Sequence, residues 1–272
     1  MTEKKKNFIV RTITGVLFVA ILVTCFLRPI SMIFLFALIT GLTVWEYGGL
    51  VNQFDDIQVN RFISTAAGVY LFLAFAGYCT GFTPATVFIP YLVTVIYLII
   101  SELFTMAPNP INNWAYAMLS QMYIALPFSM INVLAFQSNA EGEVAFNFLL
   151  PLSLFIFLWV NDTGAYCVGS LLGRHKLFPR VSPGKSWEGS IGGAVFVLIA
   201  AAIIGYLVGG KEGGYSIPVW MGLGLTVVVF GTLGVKDSGN ILPGHGGMLD
   251  RFDSSLMAIP AAVIYFYTLS LF

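Results

Sequence analysis

Runs of about 20 predominantly apolar residues recur from one end of the chain to the other, each long enough to cross the hydrocarbon core of a bilayer as a helix. Spans are expected at about 8–26, 30–47, 62–79, 85–104, 114–135, 146–161, 190–208, 217–235 and 254–272, which makes about nine transmembrane helices. The expected fold is therefore an all-α polytopic membrane protein, a single integral-membrane domain over residues 1–272. Composition agrees with this. Of the 272 residues, 58% are hydrophobic and 10% charged, too few polar groups to cover a soluble domain of this size. The N-terminal "MTEKKK" and the run behind it read as an uncleaved first helix, because no small-residue cleavage site follows.

The positive charges are divided unevenly between the two ends of these spans. With the N-terminus in the cytoplasm, Lys4, Lys5, Lys6, Arg11, Arg61, Arg174, Lys176, Arg180, Lys185, Lys236 and Arg251 fall on the inner side. Only Arg28 and Lys211 fall outside. This is the positive-inside pattern, and it predicts a multi-pass protein of the cell's inner (cytoplasmic) membrane. A formal net charge of zero argues against nucleic acid as a partner. Three cysteines without CxxC spacing and two histidines argue against zinc.

Polar chemistry collects in two segments expected on the cytoplasmic side, 159–193 and 235–254. In the second, Asp250 and Asp253 are three residues apart and share a face if a helix begins near Leu249. Paired hard-oxygen ligands suit Mg²⁺, which takes one or two carboxylates and completes its shell with water and substrate phosphate. The plainer reading is an acidic first turn that complements the helix dipole. "PGHGG", Pro243 to Gly247, lets backbone N–H groups approach an anion. With Lys236, His245 and Arg251 nearby it can form a phosphate cradle, although His245 serves equally well as a structural hydrogen-bonder.

The first segment carries "SPGKSWEGS", Ser182 to Ser190, without the spacing of a P-loop. Lys185 there can meet a triphosphate as a point charge, or simply belong to a capping segment with an interfacial lysine and tryptophan. Asp162, expected to close the sixth span, is costly beside lipid and is a functional candidate by default. Glu46 and Glu102, at inner ends of the second and fourth spans, read as carboxylates solvated at the interface. Together these residues describe a Mg²⁺-dependent, anhydride-handling site at the cytoplasmic membrane face.

"VKDSGNILPGHGGMLDRFDS" resembles the signature of the phosphatidate cytidylyltransferases, also called CDP-diacylglycerol synthases; "WVNDTGAYCVGSLLGR" and "SPGKSWEGSIGG" resemble two further blocks of that family. The resemblance implies an enzyme of phospholipid biosynthesis that converts CTP and phosphatidic acid to CDP-diacylglycerol and pyrophosphate. It implies Asp250 and Asp253 as metal ligands and, with Lys236 and Asp237, as the catalytic set. Ser182, Lys185, His245, Gly246, Gly247, Arg251 and Asp162 are then expected to line the substrates. Mg²⁺, with a monovalent cation beside it, is the implied cofactor, and a homodimer the implied assembly. Other readings are a CTP-dependent transferase acting on another lipid phosphate, or a transporter whose intramembrane charges line a path. Clustering of the polar residues at one membrane face disfavours the transporter.

One departure stands out. The family signature begins earlier, with an acidic-and-serine block and a Lys-Arg pair. Counted back without a gap, the serine position falls on Val227 and the pair on Phe230 and Gly231. "FGTLG" instead runs directly into "VKDSGN". A metal-binding aspartate is expected to be absent with that block, and turnover to be impaired.

Overall fold

Backbone polar groups cannot be left bare in hydrocarbon, so a chain this apolar must satisfy them within its own helices. The computed structural model, which describes residues 3–138, 142–178, 182–209, 214–232 and 247–271, is built that way. In chain order the elements are α1 (Glu3–Phe26), α2 (Pro29–Val51), α3 (Arg61–Cys79) and α4 (Ile89–Ser101), the last entered through a 3-10 turn, Ala85–Phe88. Then come α5 (Pro110–Leu119) and α6 (Leu126–Ala135), joined by a π-helical turn at Ser120–Ala125. A small hairpin, β1 (Phe136–Ser138) and β2 (Val144–Phe146), precedes α7 (Leu149–Leu172). A second hairpin, β3 (Lys176–Phe178) and β4 (Ser182–Ser186), leads into α8 (Trp187–Val208), α9 (Ile217–Gly231) and α10 (Met248–Leu269).

Among the described residues, six helices are long and apolar enough to cross a bilayer: α2, α3, the continuous Pro110–Ala135, α7, α8 and α10. Three shorter apolar helices, Thr12–Phe26, Ala85–Ser101 and Ile217–Gly231, occupy the remaining expected spans. The all-α polytopic class holds, and two boundaries need correction. Asp162 does not close the sixth span, because α7 continues to Leu172. The low helix propensity of "NDTGAYCVGS" is overridden there by packing, Gly164 lying against Gly193 and Gly169 against Gly189. The described residues of 159–193 are the end of α7, the strands β3 and β4, and the start of α8. The last helix starts at Met248 instead of 254, so Asp250 and Asp253 lie inside it.

The chain divides into two compact units. The first comprises Met1–Pro151 and Val235–Leu256. Its core is aromatic: Phe36 packs on Phe26 at 5.3 Å and on Phe128 at 6.2 Å, all three fully buried. The turn between α2 and α3 is closed by Asn52, whose side chain both donates to the Val59 carbonyl and accepts from its N–H, at 2.9 and 2.7 Å. Asn60 then caps α3 by accepting from Ile63 N–H. Arg61 lies 4.1 Å from the Trp45 ring centroid, and its Nε and Nη2 donate to the Trp45 carbonyl. Glu102 is half-buried, accepting from Asn113 Nδ2 at 2.8 Å, so it is more than a solvated interfacial acid.

The second unit comprises Leu152–Gly234 and Met257–Phe272. Here small residues replace aromatic bulk. Gly189, Gly193, Val197, Ala201 and Gly205 recur every fourth position on the buried side of α8. Gly205 meets Ile217 and Trp220, and Gly224 of α9 meets Val197 and Ala201, the close backbone approach that small residues allow between apolar helices. Tyr265 of α10 donates to the Val219 carbonyl at 2.9 Å, giving its hydroxyl a partner within the apolar layer.

Candidate functional site

In the first unit, the motif residues that the structure describes gather at the start of α10. Gly247 is the N-cap and Asp250 the third helical residue; Asp250 Oδ2 accepts from Gly247 N–H at 3.1 Å, half of a capping box. Three residues on, Asp253 lies one turn along the same side of the helix, as the spacing predicts. Asp253 is buried, Asp250 half-buried and Arg251 exposed. Phe252 fixes this turn. Its ring packs edge-on against Phe18, Phe36 and Phe128 at 5.7, 6.4 and 5.5 Å, and it is 1% exposed. The adjacent Asp253, itself buried, is thereby held at the margin of the aromatic core.

A further carboxylate joins this turn from a residue expected to be solvated at the interface. Glu46, on α2, is 7% exposed, and its Oε2 accepts from Met248 N–H at 2.6 Å. It is not solvated at the interface; it supplies an acceptor to one of the four N–H groups that a helix start leaves bare. The signal that could have found it was its place in an apolar span, where an acid is expensive.

In the second unit, Ser182 and Lys185 lie on β4, and Ser186 caps α8 by accepting from Gly189 N–H at 3.1 Å. Lys185 Nζ donates to the Thr232 carbonyl at 2.7 Å, just beyond α9 and just ahead of the motif segment. A cation there also complements the negative end of the α9 dipole. Glu188 accepts from Arg174 N–H and His175 N–H and pairs with His175 Nδ1 at 2.6 Å, tying the approach to the hairpin to the first turn of α8. The capping segment is thus realised by Ser186 and Glu188, while Lys185 sits partly buried at a helix end. Asp162 is exposed on α7. Lys236, Asp237, His245 and Gly246 lie outside the described residues.

Among the described residues, no group of three or more His, Cys, Asp or Glu side chains is arranged to hold a metal ion. Two carboxylates one turn apart still match what Mg²⁺ asks of a protein when substrate phosphates supply other ligands. The donor set, hard oxygens only, fits that ion and not a softer metal.

The family model for the cytidylyltransferase family matches residues 9–269. A phosphatidate cytidylyltransferase of Staphylococcus aureus (strain COL) is 38% identical over 160 residues, 54% of this chain and 56% of that protein. The chain thus spans about half the length of that curated relative. One from Staphylococcus haemolyticus is 29% identical over 267 residues, 92% of this chain and 96% of that protein. The match runs from the first apolar helix to the last, taking in both motif segments, and the chain belongs to the cytidylyltransferase family.

Proposed function

We propose that this protein is a phosphatidate cytidylyltransferase, joining CTP to phosphatidic acid at the cytoplasmic face of the inner membrane. A phosphate oxygen of phosphatidic acid forms a new bond to the α-phosphorus of CTP. The bond from that phosphorus to the bridging oxygen breaks, and pyrophosphate leaves with the electron pair. The observation that carries this reading is the acid pair Asp250 and Asp253 at the start of a membrane-type helix, in a chain of this family. Bound there, Mg²⁺ would neutralise phosphate charge in the transition state. Asp250 and Asp253 hold the ion's side of the site, while Arg251, exposed beside them, offers a guanidinium to phosphate oxygens. The block that carries Lys185 resembles a further motif of the family, and its ammonium is proposed to meet nucleotide phosphate as a point charge. The positive-inside bias supports a cytoplasmic opening to CTP, where that nucleotide is found.

The absent acidic block bears on the rate. α9 carries no charged residue from Ile217 to Gly231, and Val227, where the family's serine is expected, is fully buried. Turnover is therefore slow relative to a family member that has the block, and restoring the block ahead of Lys236 raises the rate. The test is product analysis after incubating the purified protein in lipid nanodiscs with radiolabelled CTP, Mg²⁺ and phosphatidic acid. Labelled CDP-diacylglycerol, lost on chelation, is expected. Product formed only with a different lipid phosphate, or none even after the block is restored, overturns the assignment.

A further inference from the structure

A carboxylate buried in an apolar helix is costly enough to need a reason. Glu46 is the only charged residue of α2, and its carboxylate reaches the Met248 N–H, which makes that hydrogen bond the first candidate for the reason. Three observations bear on that reason. The bond, at 2.6 Å, has the short length of a charge-assisted one. The second oxygen, Oε1, is buried and has no hydrogen-bond partner among the described residues. And the Asp250 carboxylate is bonded to Gly247 N–H, the backbone donor next to the one that Glu46 holds. Two acids are thus brought to one helix start, each fastened to a backbone N–H there.

The first turn of α10 has few means of its own to hold its direction. Its N-cap is Gly247, which has no side-chain acceptor to offer the first turn. Asp250 satisfies the Gly247 N–H, and Glu46 satisfies the next one. Phe252 pins the turn by apolar contact on another side. The direction in which Asp250 and Asp253 project is set by the orientation of this turn, and a misplacement of about 1 Å can cost on the order of a hundredfold in rate.

We propose that Glu46 is a positioning residue for the reaction. By holding Met248 N–H from α2, it fixes the first turn of α10 so that Asp250 and Asp253 present one face to the cation and its phosphates. Its rate arm rests on the function proposed above; its exchange and metal-binding arms do not.

Three variants separate the possibilities. Glu46→Gln keeps an acceptor oxygen at the same reach, Glu46→Asp keeps the charge but falls a methylene short, and Glu46→Leu removes the acceptor. Hydrogen–deuterium exchange of a peptide covering residues 247–256 reports the turn itself. Binding of Mn²⁺ alone, followed by electron paramagnetic resonance, reports the acid pair. Faster exchange in Glu46→Leu and Glu46→Asp, with a Mn²⁺ midpoint raised at least tenfold, is expected. Glu46→Gln should stay within about threefold of the parent by both measures. In turnover, kcat should fall about a hundredfold in Glu46→Leu while the KM for CTP changes little, and Glu46→Gln should rescue it. Should Glu46→Leu not fold, the Glu46→Asp and Glu46→Gln pair decides by the same readouts. Exchange and Mn²⁺ binding unchanged in Glu46→Asp would overturn the proposal. So would Glu46→Gln behaving as badly as Glu46→Asp or Glu46→Leu, since charge and not the hydrogen bond would then be the contribution. If the parent makes no CDP-diacylglycerol but the exchange and Mn²⁺ results follow the expected pattern, the function fails and the positioning role stands.

Discussion

Helices α8 and α10 both start with an acid in the first turn, and the two starts are built in opposite ways. At α8 everything is local. Ser186 caps the helix, and Glu188 bonds to Arg174 and His175, 14 and 13 positions back along the chain. Such a start can form as soon as the hairpin does. At α10 the cap is a glycine, and a carboxylate arrives from Glu46, 202 positions away. That start is complete only when α2 and α10 have met. Identical chemistry at two helix ends therefore serves two ends: at α8 it finishes a piece of architecture, and at α10 it makes the orientation of an acid pair depend on the folded unit.

The largest effect should come from breaking the α10 side directly. Asp253→Asn keeps size and removes charge, so CDP-diacylglycerol formation should drop roughly 100–1,000-fold while the unfolding temperature in detergent stays put. A variant retaining most of its activity at limiting Mg²⁺ would refute the ligand role. Next is Lys185→Met, which removes a charged hydrogen bond to Thr232. Bonds of that kind are worth about 1.5–3 kcal/mol, so a loss of about ten- to a hundredfold is expected if the ammonium also serves the transition state. An unfolding temperature that falls with no loss of kcat/KM would make Lys185 a helix cap only.

Gly189→Ala sharpens the α8 side. A methyl there would lie 2.8 Å from the Ala165 carbonyl oxygen and 3.1 Å from Gly169 Cα, both backbone atoms that cannot step aside. About 1–3 kcal/mol of stability should be lost, with the rate per folded molecule unchanged. The smallest effect is expected from Glu188→Gln, which weakens the pairing with the exposed His175. A slight fall in unfolding temperature and an unaltered Mg²⁺ requirement would fit. A loss of activity rivalling that of Asp253→Asn would erase the contrast between the two helix starts.

Hydropathy alone places the spans, because length and apolarity are properties of the string. Errors arise where packing competes with composition. The run "NDTGAYCVGS" looks like the end of a span because its residues are polar or weak helix formers, yet its glycines are what let α7 lie against α8. The charges of "MLDRFDS" hide six residues of helix from a hydropathy window for the same kind of reason. Asp250 and Asp253 were legible as a pair, since helical spacing turns three positions into one face. Glu46 was visible only as an anomaly. Its partner is a backbone N–H, which every non-proline residue has, so no side-chain pattern could announce the contact. Phe252 likewise reads as one more aromatic among 24 phenylalanines until its three ring partners are seen.

The π-helical turn at Ser120–Ala125 carries one last consequence. Pro127 has no N–H to give the Tyr123 carbonyl, so the ordinary ladder cannot close there, and the wider turn holds one residue more than an α-helix would. That surplus makes the turn a slack point in chain length. Removing one residue from most of Pro110–Ala135 would rotate everything beyond it by about 100° and turn buried groups such as Phe128 and Ile131 out of the core. Removing one within 120–125 would take out the surplus residue and leave both flanks nearer to phase, with Pro127 then interrupting an α-helical ladder. A change of length in this helix is therefore best borne at the turn that holds Tyr123.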